Sequence, residues 1–306
     1  MLLITIIYDD KRENLIYDIE NVVRYFKEKN YTIGISESIQ SNTHFVKIFC
    51  DGDLNEKAYN LFKMNIAGAI YNVLIDEFYD KYLLNFLSDT YFFLKYDEID
   101  EVMKKSESIL KGCDYNFDQN FIYCMNKKNI IVDKIIDCIN ENREINIDGF
   151  ITFRMKELED DLESIIDKVV EQYMAEREYD DFIKLLKYFV EIQDSKVDEI
   201  NIIITKSGKY LLKDNKGKDI TQELLDGLDE IQYKQNSNME DILIGVLITN
   251  CPKSIVIHCV ENSENDEFID TIKNIFENKV SICTSCDMCK CTEDRFTRLI
   301  DSKIKS

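Results

Sequence analysis

The sequence lacks any apolar run long enough to cross a membrane. Its best candidate, "ILIGVLI" at 242–248, is far shorter than the roughly 18 residues that a membrane span requires. The apolar start at 2–8 has no basic segment before it and is followed directly by Asp9 and Asp10, which suits a strand and not a signal peptide. We therefore expect a cytoplasmic protein that has no membrane partner.

Positive charge is also scarce. Lys and Arg total 38 against 59 Asp and Glu, so the formal net charge is −21 at pH 7. Such an excess of carboxylates repels phosphate backbones and anionic lipid surfaces, and a nucleic acid would have to bind through a local basic patch. We therefore expect neither nucleic acid nor membrane as the default partner, and a protein partner remains unknown.

Several common catalytic motifs are missing as well. The sequence contains no GxxxxGK(S/T), GxGxxG, HExxH or GxSxG, so nucleotide cradles, zinc peptidases and serine hydrolases have no local support. Paired carboxylates identify nothing in so acidic a chain. The sequence therefore indicates no particular reaction, and an enzyme is not the first expectation.

The hydrophobic periodicity that is present predicts a mixed α/β (α+β) protein in three parts. Strand-like and helix-like stretches predict an N-terminal α/β and helical unit over 1–115. Helical spacing dominates the central region at 116–196, where 148–193 predicts two helices or one long bent helix. After Asp194 the period changes, and 197–306 is expected to form a C-terminal α/β domain.

This C-terminal domain is expected to end in a strand, a helix and a second strand. The strands "EINIIIT" and "KYLL" begin the domain, and helices at 220–231 and 239–250 follow. The ending comprises a strand at 254–259, a helix at 265–277 and a strand at 279–283. A strand–helix–strand unit of this kind predicts a parallel strand pair, because the helix serves as the crossover connection.

One stretch of about fifty residues, 149–200, resembles the signature region of the YtxC-like family. The matching pieces are Gly149-Phe150, Phe153-Arg154, the stretch from Glu176 to Tyr179, and "FIKLLKYFVEIQ". The strands that follow and the cysteine-bearing C-terminal end are also similar to family members. The family is known as sporulation proteins of endospore-forming bacteria, so the resemblance implies a role connected with sporulation. It implies no reaction and no catalytic residues.

Cysteine is abundant, whereas proline and histidine are rare. The chain has ten cysteines, one proline and two histidines. Cytoplasmic thiols stay reduced, so this number indicates core packing plus a metal or redox site and not a disulfide framework. The run "SICTSCDMCKC" at 281–291 contains four of the ten: Cys283, Cys286, Cys289 and Cys291. Crowded thiolates repel one another, and a bound cation would neutralise them.

The spacing leaves the metal open between zinc and an iron–sulfur centre. The C-x2-C-x2-C pattern resembles the three-thiolate loop of bacterial-type iron–sulfur sites, but the fourth cysteine and the missing proline depart from it. Zinc ligands normally come from two chain segments, and the parallel strands would supply the second by placing His258 or Cys259 near Cys283. Alternation along a strand lets only one of these two residues face the site, and the sequence does not choose between them.

These observations favour a sporulation-associated binding or regulatory factor whose C-terminal thiols hold zinc or an iron–sulfur centre. The candidate metal ligands are Cys283, Cys286, Cys289, Cys291, Cys259 and His258. The alternative is a redox or nucleic-acid-processing enzyme in the C-terminal domain that uses the cysteines or the carboxylates of 198–219. Reduced cysteines without a role remain a third interpretation.

Overall fold

The computed structural model of the chain describes residues 1–9, 12–52, 54–112, 119–225, 238–263 and 265–289. The chain divides into two compact units, Met1–Ala175 and Glu176–Ser306. Both contain helices and a mixed sheet, so the expected mixed α/β class is confirmed. The finer division into three parts stays a prediction. Within the described ranges, no helix combines the length and the apolar character needed to cross a membrane.

The N-terminal unit contains a four-stranded mixed sheet. Its strands are β1 (Leu2–Asp9), β2 (Ile33–Gln40), β3 (Thr43–Cys50) and β4 (Glu144–Asn146). They lie in the order β2-β3-β1-β4, in which β1 is antiparallel to β3 and parallel to β4. Six successive residues of β1 are buried, so both faces of this central strand are covered.

Helices account for most of the remaining N-terminal unit. They are α1 (Glu13–Glu28), α2 (Glu56–Phe78), α3 (Leu84–Thr90), α4 (Tyr96–Lys111), α5 (Gln119–Glu141) and α6 (Ile147–Ile192), the last of which continues beyond the unit. In α1, Leu15, Ile19 and Phe26 recur at helical spacing, and all three are fully buried. The start of α6 is stabilised by the Asn146 side chain, whose Oδ1 accepts a 2.8 Å hydrogen bond from the Gly149 N–H. Of the two arrangements expected for the central helical region, the single helix is observed.

The C-terminal unit contains a second four-stranded mixed sheet. Its strands are β5 (Glu199–Ile204), β6 (Tyr210–Lys213), β7 (Ser254–His258) and β8 (Val280–Ile282). They lie in the order β6-β5-β7-β8, in which β5, β7 and β8 are parallel and β6 is antiparallel to β5. The accompanying helices are α7 (Thr221–Leu225), α8 (Met239–Asn250) and α9 (Asp266–Phe276). The expected strand–helix–strand ending is thus present, whereas the expected helix at 220–231 runs partly into 226–231, outside the described residues.

The two faces of the central strands in this unit carry different side chains. Ile200 and Ile202 of β5 pair with Ile255 and Ile257 of β7, and all four are completely buried in the aliphatic core of the unit. Because side chains alternate along a strand, the intervening residues point to the opposite face. That opposite face carries Asn201 within β5 and His258 at the end of β7, and the candidate site lies there.

Candidate metal centre

Parallel pairing of β7 and β8 brings two ligand-bearing positions to the same edge of the sheet. Ile257 of β7 pairs with Ile282 of β8. The backbone N–H of Cys283 continues this ladder by donating to the Ile257 carbonyl oxygen at 2.9 Å. His258 and Cys283 therefore stand next to each other at the carboxyl ends of their strands, the edge at which open α/β sheets commonly bind ligands.

Four potential ligand atoms converge at this edge. One atom from each of His258, Cys283, Cys286 and Cys289 lies within 4.8 Å of all the others. The sulfurs of Cys286 and Cys289 are 3.4 and 3.5 Å from His258 Nδ1. The Cys289 sulfur is also 3.8 Å from that of Cys283 and 3.6 Å from that of Cys286. The group therefore presents three soft sulfur donors and one imidazole nitrogen to a common point.

The segment after β8 contains helical residues that position two of the cysteines. Residues 287–289 are helical and directly follow Cys286. Side chains three positions apart on a helix lie on the same face, so Cys286 and Cys289 are brought together. The backbone N–H groups of Cys289 and Met288 also donate hydrogen bonds to the Cys286 sulfur. The spacing of two residues between these cysteines is thus the spacing that lets both sulfurs face His258.

The thiols of the centre differ in acidity. Burial, together with hydrogen bonds to the neighbouring thiols, raises the pKa of Cys283 to about 11. Burial acts in the same direction on Cys286, but the backbone N–H groups and the adjacent thiols outweigh it and lower the pKa of Cys286. Metal-binding sulfur must be thiolate, so a metal can bind Cys286 at a smaller cost of deprotonation than Cys283.

The imidazole of the centre is held in its neutral form. His258 is only 2% exposed, and burial lowers its pKa in spite of the opposing effect of the Glu199 carboxylate. A neutral imidazole retains one nitrogen lone pair that can bind a metal. The remaining ring nitrogen, Nε2, lies 2.9 Å from Oδ1 of Asn201. The sequence interpretation did not single out Asn201, although an asparagine within an isoleucine-rich strand is the signal that could have identified it.

The remaining candidate ligands are Cys259 and Cys291. Cys259 leaves β7 in the left-handed backbone conformation, with φ of +57°, and it is not one of the four converging residues. Its thiol is hydrogen-bonded with Cys289, and burial is the main cause that raises its pKa to about 12. Cys291 lies outside the described residues. The metal-binding role of all six candidates stays a prediction.

Comparison with known proteins gives the chain its family. The model of the YtxC-like family matches residues 64–281, a range that includes His258 and ends before Cys283. The curated "Uncharacterized protein YtxC" of Bacillus subtilis (strain 168) is 23% identical over 210 residues, which cover 66% of this chain and 70% of that protein. No solved structure matches at a significant level. Because the family model spans more than half of the sequence, the resemblance seen at 149–200 is confirmed and the chain belongs to the YtxC-like family.

Proposed function

We propose that the C-terminal unit binds one zinc ion through Cys283, Cys286, Cys289 and His258, and that the protein is a cytoplasmic binding or regulatory factor acting in sporulation. The observation that carries the metal proposal is the mutual spacing of the four ligand atoms. The sporulation role is supported by the likeness of 149–200 to a family associated with spore-forming bacteria. A cytoplasmic location agrees with reduced thiols, which a metal site of this kind requires.

The ligand spacing agrees with a single tetrahedral zinc ion. Zn–S bonds of about 2.3 Å and Zn–N bonds of about 2.0–2.1 Å place tetrahedral sulfurs about 3.8 Å apart and a sulfur about 3.5 Å from the nitrogen. Two of the three sulfur–sulfur distances are 3.6 and 3.8 Å, two of the three sulfur–nitrogen distances are 3.4 and 3.5 Å, and the remaining two pairs lie within 4.8 Å. Three cysteines and one histidine are also a common ligand set of structural zinc sites.

The same spacing argues against a polynuclear iron–sulfur cluster. In such clusters the thiolates are divided among two or more irons that sulfide ions bridge, so all of the ligand sulfurs cannot surround one point. Here the four ligand atoms lie within 4.8 Å of one another. A single iron ion would meet these distances as zinc does, and metal analysis distinguishes the two.

Four protein ligands favour a structural over a catalytic metal. Catalytic zinc usually keeps one position open for water or substrate, whereas structural zinc is closed by four side chains. The side chains of 283–289 are half-buried or exposed, so apolar packing alone contributes little to holding this segment against the sheet. A metal that joins His258 to the segment would supply that stabilisation, because the free energy of metal binding becomes free energy of folding.

Metal analysis after anaerobic purification tests the zinc proposal. We expect one zinc per chain and a colourless protein. Cys286→Ser should lose zinc to a mild chelator that leaves the wild type loaded, because the substitution removes the thiolate with the lowered pKa. Cys138→Ser changes a half-buried thiol of α5 in the other unit and is the matched control, which should retain zinc.

The alternatives give different results in the same experiment. If the protein contains iron and shows broad visible absorption, the site is an iron centre and not a zinc site. A metal-free wild type whose thiols oxidise reversibly would favour the redox enzyme instead.

The sporulation role is tested in a spore-forming host by counting heat-resistant spores: a Cys286→Ser strain should yield fewer than a Cys138→Ser strain. Equal spore counts in the two strains would show that sporulation does not require the metal centre.

A further inference from the structure

Asn201 lies on the side of His258 that faces away from the thiols. Its Oδ1 is 2.9 Å from His258 Nε2, whereas Nδ1 of the same ring is directed at Cys286 and Cys289. Asn201 is 1% exposed and His258 is 2% exposed. Two polar side chains this deeply buried depend on each other, since an unsatisfied polar group in the interior is destabilising.

The surroundings of Asn201 determine which of its amide atoms faces the histidine. Its Nδ2 donates to Oε1 of Glu199 at 3.0 Å and to the backbone carbonyl oxygen of Asp214 at 3.2 Å. Both of these partners accept hydrogen bonds, so the amide nitrogen has to point at them and the amide oxygen has to point at His258. An amide oxygen only accepts, so Nε2 of His258 must carry the proton. In a neutral imidazole this leaves Nδ1 with the lone pair.

We infer that Asn201 is a positioning residue for metal binding, because its side-chain oxygen selects the Nε2–H tautomer of His258 and thereby presents Nδ1 as a ligand. This inference rests on the proposed zinc function. Metal-bound histidines commonly donate their second N–H to a carboxylate, a carbonyl or water, and loss of such a partner typically weakens metal binding about 10–100-fold.

The strand register explains why this position carries an asparagine. Ile203 of β5 pairs with His258 of β7, and Asn201 precedes Ile203 by two residues on the same face of the sheet. Asn201 is therefore a diagonal neighbour of His258, within reach of its ring. An isoleucine there, like those at 200 and 202, would leave the Nε2 proton without an acceptor and remove the preference for the ligating tautomer.

The test compares zinc affinity in Asn201→Leu and wild-type chains by competition with a chromophoric chelator. Asn201→Leu should bind zinc about 10–100-fold more weakly than the wild type. Thr221→Val is the matched control, because it removes the hydrogen bond from the Leu212 N–H to Thr221 Oγ1 in the same unit but away from His258. The control should keep wild-type affinity. Unchanged affinity in Asn201→Leu would overturn the inference.

A second background separates positioning of the ring from general support of the fold. In His258→Ala there is no imidazole to orient, so adding Asn201→Leu should cause no further loss of zinc affinity from the remaining thiolates. A loss of equal size in both backgrounds would show that Asn201 acts on the fold alone, and the inference would be wrong.

Nitrogen-15 NMR of the zinc-loaded wild type tests the inference without any substitution. His258 should carry its proton on Nε2 and its metal on Nδ1, and the reverse assignment would overturn the inference. A wild type that binds no zinc would overturn the zinc proposal itself and this inference with it. Zinc bound at full affinity in Asn201→Leu would overturn the inference alone.

Discussion

Asp161 of α6 holds two lysines of α5. Lys127 Nζ and Lys134 Nζ donate to its two carboxylate oxygens, each at 2.8 Å, and the Asp161 side chain is 14% exposed. Burial by itself would raise the pKa of this carboxyl, but the hydrogen bonds from the two ammonium groups outweigh it and lower the pKa. A carboxyl whose pKa is lower in the folded than in the unfolded chain stabilises the fold above the unfolded value. That stabilisation is lost as the pH falls through the folded value.

Asp161→Asn should therefore lower the free energy of unfolding at neutral pH by about 1–2 kcal/mol, because the neutral amide keeps one acceptor oxygen and can no longer accept hydrogen bonds from both ammonium groups on its two side-chain atoms. The difference from wild type should shrink as the pH falls from about 4, where the unfolded chain takes up the proton, through the lower pKa of the folded chain, where the wild-type carboxyl is protonated as well. Urea unfolding over a series of pH values measures this difference in the free energy of unfolding. Asp160→Asn removes the same charge at the exposed neighbouring position and serves as the control. Equal effects of the two substitutions, or a difference that does not depend on pH, would contradict the assignment.

Among the connections between elements, the junction of α9 and β8 contains a strained residue. Glu277 ends α9 with φ of +45° and ψ of −116°, a combination that glycine adopts readily and a residue with a Cβ does not. Its carboxylate accepts a 2.7 Å hydrogen bond from Lys187 Nζ, but both side chains are substantially exposed. Exposed ion pairs contribute little, so the backbone strain is expected to outweigh the pair.

Glu277→Gly should accordingly raise the free energy of unfolding by about 1 kcal/mol, since relief of strain exceeds the extra entropy of glycine in the unfolded chain. Glu277→Gln removes the ion pair and keeps the backbone strain, so it should change the free energy of unfolding by less than about 0.5 kcal/mol. Chemical denaturation of both variants gives the comparison. If the glycine variant is no more stable than the glutamine variant, the backbone at 277 is not strained.

Elements with a complete hydrophobic pattern of their own could be predicted from the sequence, whereas others could not. The strand–helix–strand ending was predicted, because β7 and α9 each bury a regular set of apolar residues. β4 was missed because it has three residues and only Ile145 is buried, which is too short for any period. It forms because β1 pairs with it in parallel, at a distance of more than a hundred residues along the chain.

The same distinction applies to the candidate site. Parallel pairing alone predicted that His258 or Cys259 would come near Cys283. Choosing between the two requires the packing of the sheet, which places His258 on the face that carries Asn201, and the left-handed turn at Cys259. Asn201 stands out in the sequence as a polar residue within an isoleucine-rich strand, but its partner could not be predicted, because its contact with His258 joins residues 57 positions apart and depends on the register of two strands.

At the scale of the whole molecule, the net negative charge favours the binding of a cation at the candidate metal centre. A net charge of −21 surrounds the protein with a negative potential that attracts cations and repels anions. The thiols release protons when they bind zinc, and the ion neutralises two of the three thiolate charges that result, which leaves the centre with one net negative charge. Binding therefore adds little negative charge to a chain that already carries an excess of it.

The division into two compact units predicts that metal removal affects them unequally. A bound ion stabilises the unit that holds its ligands, by about 4 kcal/mol when the free metal exceeds its dissociation constant about 1,000-fold. Chelation should therefore lower amide hydrogen-exchange protection in β5, β7 and β8, while protection in β1 and β3 stays unchanged. Cys286→Ser should reproduce this pattern without chelator, and Cys138→Ser should not. Exchange mass spectrometry of the full chain makes the comparison: equal loss of protection in both units, or none in β7 and β8, would mean that the metal does not stabilise the C-terminal unit.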